Sequence, residues 1–256
     1  MFDLSIKSIW YVLIRDYMSF KKLFKISIFP NLVNPLIYLL AFGLGLSKLV
    51  GSVYGVPYFV FVASGLVAAT AMSAATAETT TNAYIQMKVE KTYEAIAMTP
   101  VNLQDIVAGQ IIWAGIRSVI FGSLFLIIVA VLGVMHTWLV LFIPFVLFIT
   151  GIVFGTMGLI FTLLIPNRDY INYYQVLVIQ PLYMFSATFF PLSVFPKGLR
   201  IISNISPLYH SAIICRALLA GNIDFYSLSF HFMVLLLMIL VLFFIPVRLV
   251  QKKMRK

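Results

Sequence analysis

Long apolar runs alternate with short polar stretches along most of the chain. A helix needs about 20 apolar residues to cross the apolar core of a bilayer, which is about 30 Å thick. Runs of this length predict six transmembrane helices, over residues 29–50, 57–79, 106–134, 138–165, 170–190 and 226–247. Since no repeat or linker separates the runs, the pattern predicts a single all-α integral membrane domain over residues 1–256.

The first 25 residues follow a different pattern, because apolar residues recur there at helical spacing with cations between them. Ile6, Ile9, Leu13, Tyr17, Phe20 and Phe24 form the apolar set. This pattern predicts an amphipathic helix over residues 1–25 that lies in the membrane interface, with its cations near anionic lipid head groups. A plain positively charged anchor explains the same residues equally well.

Composition agrees with a membrane protein, since 62% of the residues are hydrophobic and only 10% are charged. The mean hydropathy is +1.04.

A net charge of +10 could indicate nucleic acid binding, but the positions of the cations indicate membrane topology and no nucleic acid partner. One side of the predicted membrane carries Lys7, Arg15, Lys21, Lys22, Lys25, Lys88, Lys91, Arg168, Arg248, Lys252, Lys253, Arg255 and Lys256. The other carries Lys48, Lys197, Arg200 and Arg216, so both termini are predicted to be cytoplasmic.

Residues 191–225 are apolar but are broken by Pro191, Pro196 and Pro207. Ser206 resembles a helix N-cap followed by proline at the first helical position, and Gly221 resembles the residue after the helix end. A helix between them spans about 21 Å, which is too short to cross a bilayer. The segment therefore predicts a pair of short re-entrant helices that dip into the membrane from the outer side.

Five charges lie close together in residues 86–106, between two apolar runs. Ile85, Val89, Tyr93 and Ile96 follow helical spacing, while Pro100 disfavours helix at the residue before it. Asn102 and Asp105 resemble a capping box that starts the next helix. The pattern predicts a short cytoplasmic helix, a break and a capped transmembrane helix. Its mixed charge suits a protein partner, although an ordinary solvated loop is the alternative.

Three stretches resemble the membrane subunits of ABC type-2 exporters, especially the permeases of nodulation-factor and polysaccharide export. They are "KTYEAIAMTPVNLQDIVAGQI", "GVPYFVFVASGLVAATAMSAATAETT" and "FSATFFPLSVFPKGLRIISNISPLYHSAIICRALLAG". The resemblance covers about residues 20–250. It implies a homodimeric permease of the bacterial inner membrane, with two separate ATPase subunits that bind ATP and Mg²⁺. The chain itself would bind no cofactor, would not be an enzyme, and would export an amphipathic, lipid-linked or glycan-type substrate.

The resemblance also assigns roles to particular residues. It implies that residues 84–98 are the coupling helix seated in the ATPase, with Lys88, Lys91, Tyr93, Glu94, Thr99 and Pro100 at the contact. Residues 191–221 would form an outer cap. Its gate residues would be Phe189, Phe190, Pro191, Phe195, Pro196, Pro207, His210 and Arg216.

No glycine is followed by lysine, so the sequence contains no P-loop for ATP.

Several residues outside these segments are also candidates. Arg117 lies inside a predicted span, where it could be functional or could extend to the cytoplasmic head groups. Glu78 could line a pathway or face water. His136, His210 and His231 are scattered and predict no metal site, while Gly151, Gly155 and Gly158 predict close helix packing.

Two other function classes remain open from the sequence. An ion-coupled secondary transporter needs acidic residues in mid-membrane, and the predicted spans place none there. An integral membrane lipid or glycan transferase needs clustered Asp or His at an interface, and no such cluster is visible in the sequence.

Overall fold

The computed structural model describes residues 4–135 and 137–254, with the backbone alone for residues 252–254. Predictions that used residues 1–3, His136, Arg255 and Lys256 lie outside the described residues. The described chain is almost entirely helical, with one two-residue β-ribbon.

Five helical stretches among the described residues are long and apolar enough to cross a membrane. Shorter helices connect or follow them. In chain order the helices are α1 Ile6–Val50, α2 Tyr58–Val89, α3 Thr92–Ala97, α4 Leu103–Val131, α5 Trp138–Leu164, α6 residues 170–185, α7 Lys197–Ile205, α8 Pro207–Ala220, α9 Phe225–Leu242 and α10 Phe244–Met254. Strands β1 Ser52–Val53 and β2 Val56–Pro57 pair antiparallel.

The helices run back and forth between two ends of a bundle. One end, the terminal end, holds the start of α1, residues 90–102, residues 165–169 and α10. There the Ser5 backbone N–H donates to Asp105 Oδ1 at 2.9 Å. The opposite hairpin end holds the β-ribbon, residues 132–135, Thr137 and the irregular chain from residue 186 to 224. Both described chain ends therefore lie on the same side of the bundle.

Helix α2 is the centre of the bundle. Almost every residue of its first part, Tyr58–Ala77, is buried, because α1, α4, α5 and α8 all pack against it. Its small residues, mostly Ala, Ser, Thr and Gly, let the neighbouring backbones approach closely. The apolar sequence of this helix thus reflects burial within the protein as well as membrane residence.

Glycines in α5 confirm the predicted close packing. A Cβ added at Gly151 would lie 2.5 Å from Ser118 Oγ and 2.8 Å from the Gly115 Cα. A Cβ at Gly155 would lie 2.8 Å from the Ala114 Cβ, and one at Gly158 would overlap Thr79. Helix α5 therefore packs against α4 and α2 at distances that only glycine permits.

The predicted count of six spans is not confirmed. Residues 170–190 were expected to form a span, but α6 ends at Phe185 after 16 residues, about 24 Å of helix. A π-helical turn over Gln175–Ile179 widens α6 just before Pro181. In a regular helix the Pro181 ring would clash with the carbonyl four residues earlier, so the wider turn accommodates it.

The predicted boundary between an interfacial helix and a first span is also absent. Helix α1 continues from Ile6 through Pro30 and Pro35 to a π-helical turn over Leu39–Leu44 and on to Val50. The short helix predicted between Ser206 and Gly221, in contrast, is observed as α8, Pro207–Ala220, and Gly221 follows it with a φ of +74°.

We predict that Gly151→Ala destabilises the protein by about 1–3 kcal/mol, because the added methyl group overpacks the contact with α4. Thermal unfolding of the purified protein in detergent measures the change. Gly45→Ala is the matched control, since no atom beyond its chain neighbours and its own helix backbone lies within 4 Å of the added Cβ. Equal melting temperatures for the two variants would show that the α4–α5 contact is looser than described.

Candidate functional site

The candidate site at the terminal end has two layers. Residues 88–100, which we call the polar segment, connect α2 to α4 at the surface. Beneath them, polar side chains of α1, α2 and α4 form a buried cluster.

The polar segment is not the continuous helix predicted over residues 84–98. Helix α2 extends to Val89 through two π-helical turns, over Glu78–Asn82 and Ile85–Val89. Lys91 then adopts a φ of +52°, a left-handed conformation that ends one helix and starts α3 at Thr92. Helix α3 ends at Ala97, close to the predicted end at residue 98. Just before Pro100, Thr99 Oγ1 donates to the Ile96 carbonyl at 2.6 Å.

Most predicted contact residues of the polar segment are exposed. The exposed charged side chains include both signs: Lys88, Glu90, Lys91 and Glu94. Thr99 and Pro100 are also exposed. Val89 shares the predicted helical spacing of Tyr93 and Ile96, but it is 67% exposed because the helix breaks after it. Met98 is 88% exposed. The surface therefore combines charges with apolar side chains, as a protein-binding surface does.

Tyr93 is the exception, because its side chain is completely buried. It packs in an apolar cluster with side chains from five other helices, including Val12, Met87, Ile106 and Val250. Burial raises the pKa of Tyr93, so the phenol stays neutral at any physiological pH. Tyr93 therefore anchors the polar segment to the bundle and does not face the surface.

The predicted capping box is confirmed at the start of α4. The Asn102 side chain accepts from the backbone of the third helical residue, and Asp105 accepts from the Asn102 N–H at 3.4 Å. Because Asp105 also accepts from Ser5, one buried carboxylate fixes the starts of both α4 and α1.

The buried cluster contains an ion pair between Glu78 of α2 and Arg117 of α4. Both residues are 3% exposed. Asn82 Nδ2 donates to the same Glu78 oxygen at 2.6 Å, and the Phe20 and Phe121 rings lie 5.2 and 5.4 Å from the guanidinium. Arg117 therefore does not extend to the surface, and Glu78 does not face water. The sequence does not predict this pair, because 39 residues separate its members.

A second group of hydrogen bonds connects α1 to α2 and α4. Arg15 Nη2 donates to Asp16 Oδ1 at 2.5 Å and to Gln86 Oε1 at 3.1 Å. Gln110 Nε2 donates to the same Gln86 oxygen at 2.6 Å. Together with the Glu78–Arg117 pair, these bonds enclose one side of a cavity of about 440 Å³ between the three helices.

At the hairpin end, the predicted gate residues occupy different environments. Phe189 is fully buried among Tyr38, Phe42 and Tyr183, with ring centroids 4.7–5.7 Å away, whereas Phe190 is 38% exposed. The remaining predicted residues of the loop cap or flank short helices: Pro191 precedes a 3₁₀ turn over Leu192–Val194, Pro196 precedes α7, Pro207 begins α8, and the Phe195 ring lies 5.6 Å from that of Phe185.

Arg216 and His210 hold this irregular chain to the bundle. Arg216 Nη2 donates to the carbonyls of Ala187 at 2.9 Å and Phe61 at 3.3 Å, and its guanidinium lies 3.7 Å from the Phe61 ring. His210 Nε2 bonds the Asn204 carbonyl at 2.8 Å, and its Nδ1 lies 2.6 Å from Nδ1 of His231. The two histidines looked scattered in the sequence, but they connect α8 to α9.

Comparison with known proteins identifies one matching family over most of the chain. The profile of the family described as "ABC-2 type transporter" matches residues 7–220.

Individual relatives have similar lengths. "Nodulation protein J" of Rhizobium leguminosarum bv. viciae is 36% identical over 242 residues, which is 94% of this chain and 93% of that protein. The "Nodulation protein J" of Rhizobium meliloti (strain 1021) is 36% identical over 81% of this chain and 79% of its own. "Inner membrane transport permease YadH" of Escherichia coli (strain K12) is 22% identical over 80% of this chain and 79% of its own.

We predict that Glu78→Gln lowers the free energy of unfolding by about 3–5 kcal/mol, because it leaves the Arg117 charge buried without a counter-charge. The double variant Glu78→Gln with Arg117→Met removes both charges and should recover most of that loss. Thermal unfolding of the single and double variants measures both effects. A single variant as stable as the parent would contradict the buried ion pair.

Proposed function

Because the chain belongs to the ABC-2 type transporter family, we propose that it is the membrane subunit of an ATP-driven exporter whose ATPase subunits are separate chains. The proposal is carried by the polar segment, where an exposed surface of mixed charge is attached to the bundle through the buried Tyr93 and an apolar cluster drawn from five helices. Such a segment receives a force from a docked protein and passes it to the bundle. An ordinary solvated loop would not need a buried anchor.

The motor is proposed to be a separate protein. No glycine of this chain is followed by lysine, so the chain has no Gly-Lys-Ser or Gly-Lys-Thr with which to hold the phosphates of ATP. ATP and Mg²⁺ would therefore bind to the partner ATPase. In this proposal Lys88, Lys91, Glu94, Thr99 and Pro100 contact that partner, while Tyr93 transmits the movement.

Two copies of the chain would pair and bind two ATPase subunits. The cargo would be an amphipathic, lipid-linked or glycan-type molecule, since the family resemblance and the apolar bundle both suit such a substrate. Helix α6 would serve as the sixth span, and residues 191–225 would form the outer re-entrant cap. Its gate would be made by Phe190 and the buried Phe189 cluster.

The terminal end is proposed to face the cytoplasm of a bacterium. Lys7, Arg15, Lys88, Lys91 and Arg168 all lie at or near this end, which agrees with the positive-inside rule. A relative named as an inner membrane transport permease favours the same membrane. The cations of α1 would lie near anionic lipid head groups.

An ion-coupled secondary transporter is the alternative. It would need an acid that gains and loses a charge within the bundle. Arg117 neutralises Glu78, and Arg15 contacts Asp16, so neither of these two buried acids is an isolated charge. A lipid or glycan transferase is a weaker alternative, because no cluster of three potential metal ligands occurs in the described part of the chain.

We predict that the purified chain hydrolyses ATP no faster than background and that hydrolysis appears when it is co-expressed with a P-loop ATPase from a neighbouring reading frame. Phosphate release from the isolated chain and from the co-purified pair measures this. A Lys→Ala change in the P-loop of the partner is the control for contaminating enzymes. Robust turnover by the isolated chain would refute the proposal of a separate motor.

We predict that Glu94→Lys abolishes export while the protein stays folded and abundant in the membrane. Glu94 is exposed on α3, so its reversal does not disturb the core, but it places a like charge against a basic group of the partner. Membrane abundance, co-purification of the ATPase and export are measured together. Asp169→Lys, which reverses an exposed acid in the other loop at the terminal end, is the matched control. Normal assembly and export in the Glu94 variant would favour a solvated loop.

A further inference from the structure

We propose that the cavity between α1, α2 and α4 binds a zwitterionic head group, a primary ammonium joined to a phosphate as in phosphatidylethanolamine. The cavity has a volume of about 440 Å³, within the usual range of about 300–1,000 Å³ for ligand sites. This proposal stands apart from the transport role, because it concerns a ligand of the membrane subunit alone.

The ammonium site is the free oxygen of a buried carboxylate. The Asp16 side chain is 1% exposed and lines the cavity. Arg15 donates twice to its Oδ1, whereas its Oδ2 is buried and has no hydrogen-bond partner among the described residues. A buried acceptor without a donor is costly, so a ligand that brings N–H donors to Oδ2 gains affinity.

The charges around the cavity favour a zwitterion over an anion. Three acids, Asp16, Glu78 and Glu90, and two cations, Lys22 and Arg117, line the cavity, and Arg15 pairs with Asp16 from outside the lining. Two ion pairs are closed within the protein, Arg15 with Asp16 and Arg117 with Glu78. Lys22 and Glu90 are exposed at the rim and form no ion pair in the described chain. Lys22 is therefore free to bind a phosphate.

Aromatic and apolar side chains at the cavity would orient such a molecule. Phe20 and Trp113 line it as an edge-to-face pair with centroids 5.6 Å apart, and aromatic rings attract an ammonium group. Leu23 and Ile26 lie on the outer side of α1 and are 55% and 73% exposed. With the ammonium inside and the phosphate at Lys22, the acyl chains would leave along this apolar surface into the bilayer.

Phosphate and ammonium could come from a membrane lipid or from the head group of a transported amphiphile. Comparing a two-chain lipid with water-soluble glycerophosphoethanolamine distinguishes recognition of the head group alone from recognition that needs the chains. Binding by both would indicate head-group recognition, and binding by the lipid alone would indicate that the apolar surface of α1 contributes.

Native mass spectrometry of the purified full chain in detergent measures apparent affinity for defined lipids. We expect phosphatidylethanolamine to bind about tenfold more tightly than phosphatidylcholine, because the trimethylated nitrogen has no N–H to donate to Asp16. Phosphatidylglycerol should bind about tenfold more weakly for lack of a cation. Fluorescence of Trp113, isolated by Trp10→Phe and Trp138→Phe, should change with the ethanolamine lipid only.

Two variants locate the site. Asp16→Asn should abolish the preference for the ethanolamine lipid, and Lys22→Gln should weaken binding of that lipid. Lys25→Gln is the matched control, because Lys25 is exposed on the same helix but does not line the cavity. Equal affinity for the three lipids, or no change in Trp113 emission, would overturn the proposal. The lipid series is measured on protein that keeps Asp16. It therefore tests whether the cavity prefers an ethanolamine head group even if the Asp16 variant does not fold.

Discussion

The ion pair between Glu78 and Arg117 determines how the two helices around the polar segment are held. Helix α2 leads into that segment and α4 leads out of it, and the pair connects them within an apolar bundle. Neither charge can turn to water without breaking the contact, and a single buried charge is far more costly than a paired one. The two helices and the segment between them therefore move together, so that a push on the surface is not absorbed by a loosening of α2 from α4.

Tyr93 extends the same connection to the rest of the bundle. Its ring belongs to an apolar cluster with side chains from α1, α2, α4, α5 and α10, so the short helix α3 cannot slide over the surface without disturbing this cluster. Two π-helical turns precede the polar segment in α2, over Glu78–Asn82 and Ile85–Val89. Such turns are frequent at functional sites because they interrupt the regular hydrogen bonding of a helix. We expect movement of the polar segment to bend α2 at these turns, while the Glu78–Arg117 pair keeps α2 aligned with α4.

The sequence predicted features that depend on near neighbours in the chain. The capping box at Asn102, the helix that begins at Pro207, and the close packing at Gly151 all depend on local geometry or on residue size. Features that depend on tertiary contacts were missed. Glu78 and Arg117 meet across helices, and Val89 is exposed because Lys91 adopts a left-handed conformation that no residue type in the segment requires. The family resemblance was confirmed, since it rests on residues spread over most of the chain, and the family profile matches residues 7–220.

The hairpin end solves a different problem, that of irregular backbone beside membrane-crossing helices. Residues 186–206 contain carbonyl groups that no regular helix pairs, and unpaired backbone groups are not tolerated at membrane depth. Side chains supply missing donors: Arg216 of α8 bonds the Ala187 carbonyl, and Tyr58 of α2 bonds that of Phe189. Ser203, within the segment, donates to the Phe185 carbonyl at the end of α6. Because these bonds join the segment to three different helices, it is fixed to the bundle at several points. A gate at this end would therefore open through movement of whole helices, driven from the terminal end, and not through local flexibility of the loop.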